Sequence, residues 1–343
     1  MTYHDEKNNQ HTLKLRELLK TLPDFAAGFF RTLGEQTATL TRIGYAYDLR
    51  IFFAFLREEI FHTEEICAED MRRVESEHIE EFLEYLTYYV HAKNPDTAYK
   101  NAALGKSRKL AAVRGLFKFL YKKKIIAANP AELISFPKIK EKPITTLEVN
   151  EIAKLLDEVD SGENLNARQK IFHELTKIRD AAIITLLLGT GMRVSECVGL
   201  NFKDIDFEIN GLRVTRKGGN EMILYFGDEV EAALFAYLDV REEIITLAGH
   251  EDAVFLSLQN RRITTRAIQN MVKKYSSLIT KLKNISPHKL RSTFGTQLYA
   301  ETQDIYLVAN VLGHSDVNTT RKHYAKMDDS QRRRAANVIR LRD

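Results

Sequence analysis

Two arginines, a lysine, two histidines and a tyrosine in the second half of the chain have the types and spacing to do chemistry. Arg193 follows Gly189-Thr190-Gly191-Met192, where glycines interrupt a long apolar stretch, and Glu196 comes one helical turn later. Lys217 stands beside Gly218 and Gly219, with little steric bulk around it. Pro287-His288-Lys289-Leu290-Arg291 has a proline suited to a first helical turn, which puts His288 and Arg291 on one face. His314 closes Leu312-Gly313-His314, and Tyr324 lies ten positions further on. Guanidiniums suit phosphate, because their planar forks bind paired oxygens and stay charged at any working pH. Tyrosine alone is a weak nucleophile: with an ordinary pKa near 10, only ~0.1% is phenolate at neutrality, so it needs a nearby base or cation. Each residue also has a plain structural explanation. Arg193 can pair with Glu196, His288 can cap a helix, Lys217 can serve a turn, and Tyr324 can join a core.

The elements that must position these residues read as mainly helical. Ile43, Tyr47, Phe52, Phe55 and Leu56 recur at helical spacing over 41–60. Ser76 opens a second helix with a stripe of Ile79, Phe82, Leu83, Leu86 and Tyr89, and a third over 105–123 turns Leu110, Val113, Leu116, Phe117 and Leu120 inward. A short helix is expected over 25–33, and the aromatic residues of this half read as core. Pro137 and Pro143 bracket a lysine-rich stretch that reads as an extended linker. The expected organisation is an N-terminal extension over 1–22, a helical domain over 23–137, a linker over 138–145 and a second domain over 146–343. In that second domain a helix begins near Thr146, a polar loop covers 161–166, and a long apolar helix covers 171–188. A hairpin pairs 212–215 with 222–226 around Gly218-Gly219-Asn220, and helices return afterwards. The fold class is mainly α with a small β-hairpin.

A chain of 343 residues can bury two cores, and 44% hydrophobic with 29% charged residues is ordinary for a soluble globular protein. Cys67 and Cys197 lack any C-x-x-C partner, which argues against a disulfide scaffold or zinc site and fits a reducing cytosol. No apolar segment follows Met1, and the longest apolar run, 181–188, is too short for a bilayer, so a cytoplasmic protein without membrane contact is expected. The net charge of +4 says little, but no acidic residue interrupts 97–124. Lys106, Arg108, Lys109, Arg114 and Lys118 in that stretch are the candidate contacts to a phosphate backbone. The sequence has neither a carboxylate cluster of the kind that binds paired Mg²⁺ nor a Gly-x-x-x-x-Gly-Lys phosphate loop.

In this order, Arg193, Lys217, His288-x-x-Arg291, Leu-Gly-His314 and Tyr324 resemble the signature of the tyrosine recombinase (phage integrase) family, in its Xer-like form. Thr-Gly-Met-Arg193-Val-Ser-Glu, His288-Lys-Leu-Arg-Ser-Thr-Phe and Leu-Gly-His314-Ser-Asp-Val-Asn-Thr-Thr carry the resemblance. The helical first half looks like the family's core-binding domain, which with the catalytic domain forms a two-domain DNA clamp. The resemblance implies site-specific recombination of double-stranded DNA through a 3′-phosphotyrosyl intermediate made by Tyr324. It assigns Arg193 and Arg291 to the phosphate clamp, with His288 and His314 as further donors. His288 is also the implied base, and Lys217 the donor of a proton to the leaving 5′-oxygen. Glu196 is expected to orient an arginine. The scheme needs no metal, cofactor or ATP, because the phosphotyrosyl bond conserves the energy of the broken linkage. Exchange between two duplexes needs four active sites, so a homotetramer on DNA is implied, with a helical tail over 327–343 docking on its own or a neighbouring protomer. Two departures stand out: Tyr324 lies one residue further from His314 than in many relatives, and Ser292 stands where histidine is frequent. The competing readings are a catalytically silent DNA-binding relative, which would have lost a catalytic group, and a type IB topoisomerase.

Overall fold

A computed structural model describes residues 3–91, 94–140, 144–216, 219–313, 317 and 320. The chain divides between Lys142 and Pro143 into two units. No helix among the described residues is long and apolar enough to cross a membrane.

In the first unit, α1 (Tyr3–Leu19), α2 (Asp24–Leu33), α3 (Thr39–Phe55), α4 (Ser76–Tyr85) and α5 (Ala103–Lys122) enclose one apolar core. The helical periodicities read from the sequence locate α2 to α5. The aromatic residues do form core: Phe52 is fully buried, with Phe82 at 5.0 Å and Phe117 at 6.1 Å between ring centroids, both edge-on. Edge-to-face pairs of this kind add to the burial of the rings themselves. α3 runs on into a π-helical turn, Leu56–Phe61, which ends at His62 with φ +49°. Residues 3–19, expected only as an extension, form α1 along α3, and Leu15, Leu18 and Leu22 enter the core. The polar first half of α1 hides this in the sequence, since its helix depends on tertiary contacts made at one end. A hairpin not read from the sequence, β1 (Tyr89–His91) with β2 (Asn94–Tyr99), is antiparallel and brings Tyr89 opposite Tyr99, their rings stacked at 5.4 Å.

The second unit is built around a central helix. Its elements are α6 (Val149–Ser161), α7 (Ala167–Thr190), α8 (Val194–Gly199), β3 (Ile205–Asp206), β4 (Gly211–Thr215), β5 (Glu221–Tyr225), α9 (Asp228–Glu242), α10 (Thr265–Ile279), α11 (Pro287–Thr302) and α12 (Ile305–Leu312). α7 packs against α6, α9 and α11, with Ile183, Ile184, Leu186 and Leu187 fully buried. It starts earlier than the apolar run, because Asn166 and Gln169 cap it reciprocally: Asn166 Oδ1 accepts from the Gln169 N–H at 2.9 Å, and Gln169 Oε1 accepts from the Asn166 N–H at 3.1 Å. A cap of this kind contributes about 1 kcal/mol. The expected hairpin is β4–β5, in the register Leu212↔Leu224 and Val214↔Met222. Strand β3 adds to its other side, Ile205 opposite Leu212, giving an antiparallel order β3-β4-β5.

Candidate active site

The turn after α7 sets the position of Arg193. Gly191 has φ +61°, and its N–H closes the helix on the Leu187 carbonyl at 3.1 Å. A Cβ on Gly191 would lie 2.3 Å from Phe294 Cδ1, so glycine permits both the left-handed turn and the close approach of α11. Arg193 then caps the start of α8, and Glu196 folds back onto it. Glu196 Oε2 accepts the Arg193 backbone N–H at 2.8 Å, and Oε1 accepts Arg193 Nη1 at 2.8 Å. Arg193 Nη2 donates to the Gly313 carbonyl at 3.2 Å. Glu196 therefore orients Arg193 from a buried position.

Pro287 occupies the first turn of α11, leaving His288 exposed and Arg291 buried one turn on. Arg291 Nη1 donates to the Gly191 carbonyl at 2.7 Å, and Nη2 donates to the Leu312 carbonyl. The glycine turn thus supplies an acceptor as well as room. Ser292, where histidine is frequent in the resemblance, turns its hydroxyl back into its own helix and donates to the His288 carbonyl at 3.0 Å. Thr293, fully buried, accepts the Leu147 N–H at 3.0 Å and so ties the start of the second unit to α11.

The carbonyl end of α12 gathers these side chains. The last carbonyls of a helix have no partner within it and carry the negative end of its dipole, so cations are favoured there. Gly313, with φ +61°, ends α12. The Val311, Leu312 and Gly313 carbonyls receive three guanidiniums: Arg291, Arg193 and a third, Arg216. Arg216 escaped the sequence reading. Its Nη1 donates to the Leu312 carbonyl at 2.8 Å, its Nη2 to the Val311 carbonyl at 3.0 Å, and Nη1 lies 3.5 Å from Glu196 Oε1. Burial draws its pKa down, and Glu196 opposes that shift. A signal was present: Leu212 and Val214 face inward, so strand alternation carries residue 216 to the same buried face. The arrangement is a cluster of fixed positive charge, three guanidiniums of which Arg193 and Arg216 share the Glu196 carboxylate, built on the segment that leads into His314. Lys217, His314, Tyr324 and the tail over 327–343 lie outside the described residues.

In the first unit, Arg108 and Lys118 are exposed on α5, while Lys106 and Arg114 are half-buried. Lys106 Nζ donates to Thr87 Oγ1 at 2.8 Å, and the Arg114 guanidinium lies 5.0 Å from the centre of the Phe136 ring. Lys109 departs from the expectation. It is buried, its Nζ donating to Asn101 Oδ1 at 2.8 Å and lying 3.8 Å from Asp48 Oδ1, so its charge serves the fold rather than a face open to phosphate. Asp48, also buried, accepts Arg108 Nη1 at 2.5 Å, while its Oδ1 has no hydrogen-bond partner. Burial pushes its carboxyl up from 3.8 to about 6, outweighing the pull of Arg108 and Lys109. The folded state thus holds this proton more tightly than the unfolded chain does. Stability from this group is full below the ordinary value and falls as pH rises towards about 6. Asp48→Asn is expected to remove that loss, so thermal melts of variant and wild type should diverge between about pH 4 and pH 7. A difference in melting temperature that stays flat across this range would refute the effect.

The profile of the phage integrase family matches residues 145–331. A tyrosine recombinase XerC of Caldanaerobacter subterraneus subsp. tengcongensis is 32% identical over 340 residues, covering 95% of this chain and 89% of that protein. The tyrosine recombinase XerC of Chlorobaculum tepidum is 31% identical over 308 residues, covering 87% of this chain and 88% of that one. Among solved structures, the fold is similar to the XerH site-specific recombinase bound to difH substrate in a pre-cleavage complex, with a TM-score of 0.62 and 23% identity over 88% of this chain and 81% of that one. It is also similar to the Tn1549 transposon integrase in complex with a circular intermediate DNA, with a TM-score of 0.66 and 18% identity over 90% of this chain and 96% of that one. At those identities the two structures speak for the fold, while the profile and the XerC relatives speak for descent. The chain belongs to the phage integrase family, the tyrosine recombinases.

Proposed function

We propose that this recombinase cuts and rejoins duplex DNA at a defined site, with Tyr324 as the nucleophile and Arg193 and Arg291 as the clamp on the scissile phosphate. Family membership makes the chain a DNA strand-breaking and rejoining enzyme. The observation that supports the residue assignment is the convergence of Arg193 and Arg291, from different helices, on the successive carbonyls of Gly313 and Leu312. Two guanidiniums held by successive carbonyls suit the paired oxygens of a phosphodiester and the charge that grows on them as the bond to tyrosine forms. The Tyr324 oxygen attacks phosphorus, its proton passing to His288. The bond to the 5′-oxygen breaks, and Lys217 protonates that oxygen. His314 donates to the same phosphate. Lys106, Arg108, Arg114 and Lys118 are the proposed backbone contacts of the first unit, and the working assembly is a homotetramer on two duplexes. Every residue type of the family signature is present, which weighs against a catalytically silent relative, and the Xer-like motifs weigh against a type IB topoisomerase.

The test is Tyr324→Phe on a nicked duplex carrying the protein's own site, recovered by selection from random-sequence DNA. Wild type should accumulate a covalent protein–DNA adduct, and the variant should bind the duplex equally well yet form none. Adduct formation by the phenylalanine variant would sink the assignment.

A further inference from the structure

We propose that Arg216 is a positioning residue for departure of the 5′-oxygen: it fixes the end of β4, immediately before Lys217 in the sequence, to the carbonyl end of α12. The inference rests on the reading that Lys217 protonates the leaving oxygen.

Arg216 faces two ways. Its main chain closes the hairpin: its N–H donates to the Asn220 carbonyl at 2.7 Å, and its carbonyl accepts the Gly219 N–H at 3.0 Å. Lys217 and Gly218 are the residues between those bonds in the sequence, and they lie outside the described residues. Its side chain runs the other way, into the protein, to Val311 and Leu312, with Nε 2.9 Å from Met222 Sδ on the partner strand. The guanidinium fills the space over Gly313, where a Cβ would lie 2.8 Å from Arg216 Cζ.

The acceptors are shared ones. The Leu312 carbonyl also takes Arg291, and Glu196, 3.5 Å from Arg216, also takes Arg193. The hairpin end is therefore referred to the same two groups that hold the proposed phosphate clamp. Hairpin tips are among the most easily opened parts of a fold, whereas a proton donor must come within about 3 Å of its acceptor. The two carbonyl bonds of Arg216 hold the end of β4 in place against α12, one residue before the proposed donor in the sequence. Burial of an arginine directly after a strand of five residues gains the sheet little that leucine would not supply, and the two carbonyl bonds explain its presence.

The test compares two nicked substrates, one ordinary and one with sulfur in place of the bridging 5′-oxygen. In both, the bond from Tyr324 to phosphorus forms as the bond to the bridging atom breaks. Oxygen leaves with a proton from Lys217, and sulfur leaves as a thiolate that needs none. Lys217→Ala should slow single-turnover adduct formation on the oxygen substrate by about 100-fold or more, and sulfur should restore it. Arg216→Gln should lose roughly 10- to 100-fold on oxygen and recover most of it with sulfur. The sulfur-to-oxygen ratio is measured on one preparation, so a smaller folded fraction does not alter it. Arg216→Lys, which retains charge but reaches a single carbonyl, should show an intermediate ratio. An Arg216→Gln variant slowed equally on both substrates, or on neither, would overturn the proposal while Lys217 stands. Failure of sulfur to rescue Lys217→Ala would instead remove Lys217 from the step, and the role of Arg216 with it.

Discussion

Arg291→Lys is expected to slow formation of the covalent DNA adduct by about 10²- to 10³-fold, with DNA affinity little changed. The loss comes from geometry more than charge. Arg291 reaches the Gly191 carbonyl with one terminal nitrogen and the Leu312 carbonyl with the other, so the turn after α7 and the end of α12 are joined through one planar group. Lysine has a single nitrogen on a flexible stem and cannot span both, nor can it present a fork to a phosphate. A lysine that kept Leu312, which Arg216 also serves, would leave the buried Gly191 carbonyl without this donor, at a cost of about 1–3 kcal/mol of stability. A urea melt would register that cost, and a single-turnover adduct assay on the nicked substrate would register the kinetic loss. Phosphate contacts spread along the duplex generally carry most of the affinity of a DNA-binding protein, so a band-shift titration should move little. A lysine variant that forms adduct within about threefold of wild type would take Arg291 out of the transition state.

The legible parts of this protein are those encoded by a period or a punctuating residue. α3, α4, α5 and the buried half of α7 follow from apolar residues at helical spacing, and the β4–β5 hairpin follows from alternation around glycines. The glycine turn at Gly191 and the proline opening α11 likewise place Arg193 and Arg291 without any knowledge of the fold, although Gly189 stays inside α7. What the sequence conceals is where charged side chains find their partners. Lys109 reads as one more basic residue on α5, yet Asn101 and Asp48 hold it inside. Arg216 reads as a neighbour of Lys217, yet it ends on carbonyls that lie 95 and 96 residues away. Three arginines meet at the main-chain oxygens of Val311, Leu312 and Gly313, and no side-chain motif announces a main-chain oxygen. α1 is concealed for a different reason, since its burial depends on leucines gathered at one end rather than on a continuous stripe.

Glu196→Gln should destabilise the second unit by about 2–3 kcal/mol, a larger loss than its conservative shape suggests. The carboxylate side chain is only 3% exposed and faces two guanidiniums, accepting Arg193 through both the side chain and the backbone N–H and standing 3.5 Å from Arg216. Removing one partner of a fully buried ion pair costs about 3–5 kcal/mol, because the other is left uncompensated in a medium that solvates it poorly. Arg216 fits that description at 8% side-chain exposure, whereas Arg193 at 35% is partly screened by water, which brings the expected loss below the full range. Glutamine adds a second fault, since its amide must turn two N–H donors towards groups that are themselves donors. Chemical denaturation of the two variants and their combination separates these effects. If the penalty arises from a stranded Arg216, the pair Glu196→Gln and Arg216→Gln should cost less than the sum of the single changes by about 1 kcal/mol or more. Additive costs would place the penalty at Arg193, and a Glu196→Gln loss under about 0.5 kcal/mol would mean the carboxylate is not what holds this cluster together. The distinction bears on function, because a carboxylate shared between Arg193 and Arg216 neutralises less of the charge that the proposed clamp offers a phosphate than one paired with Arg193 alone.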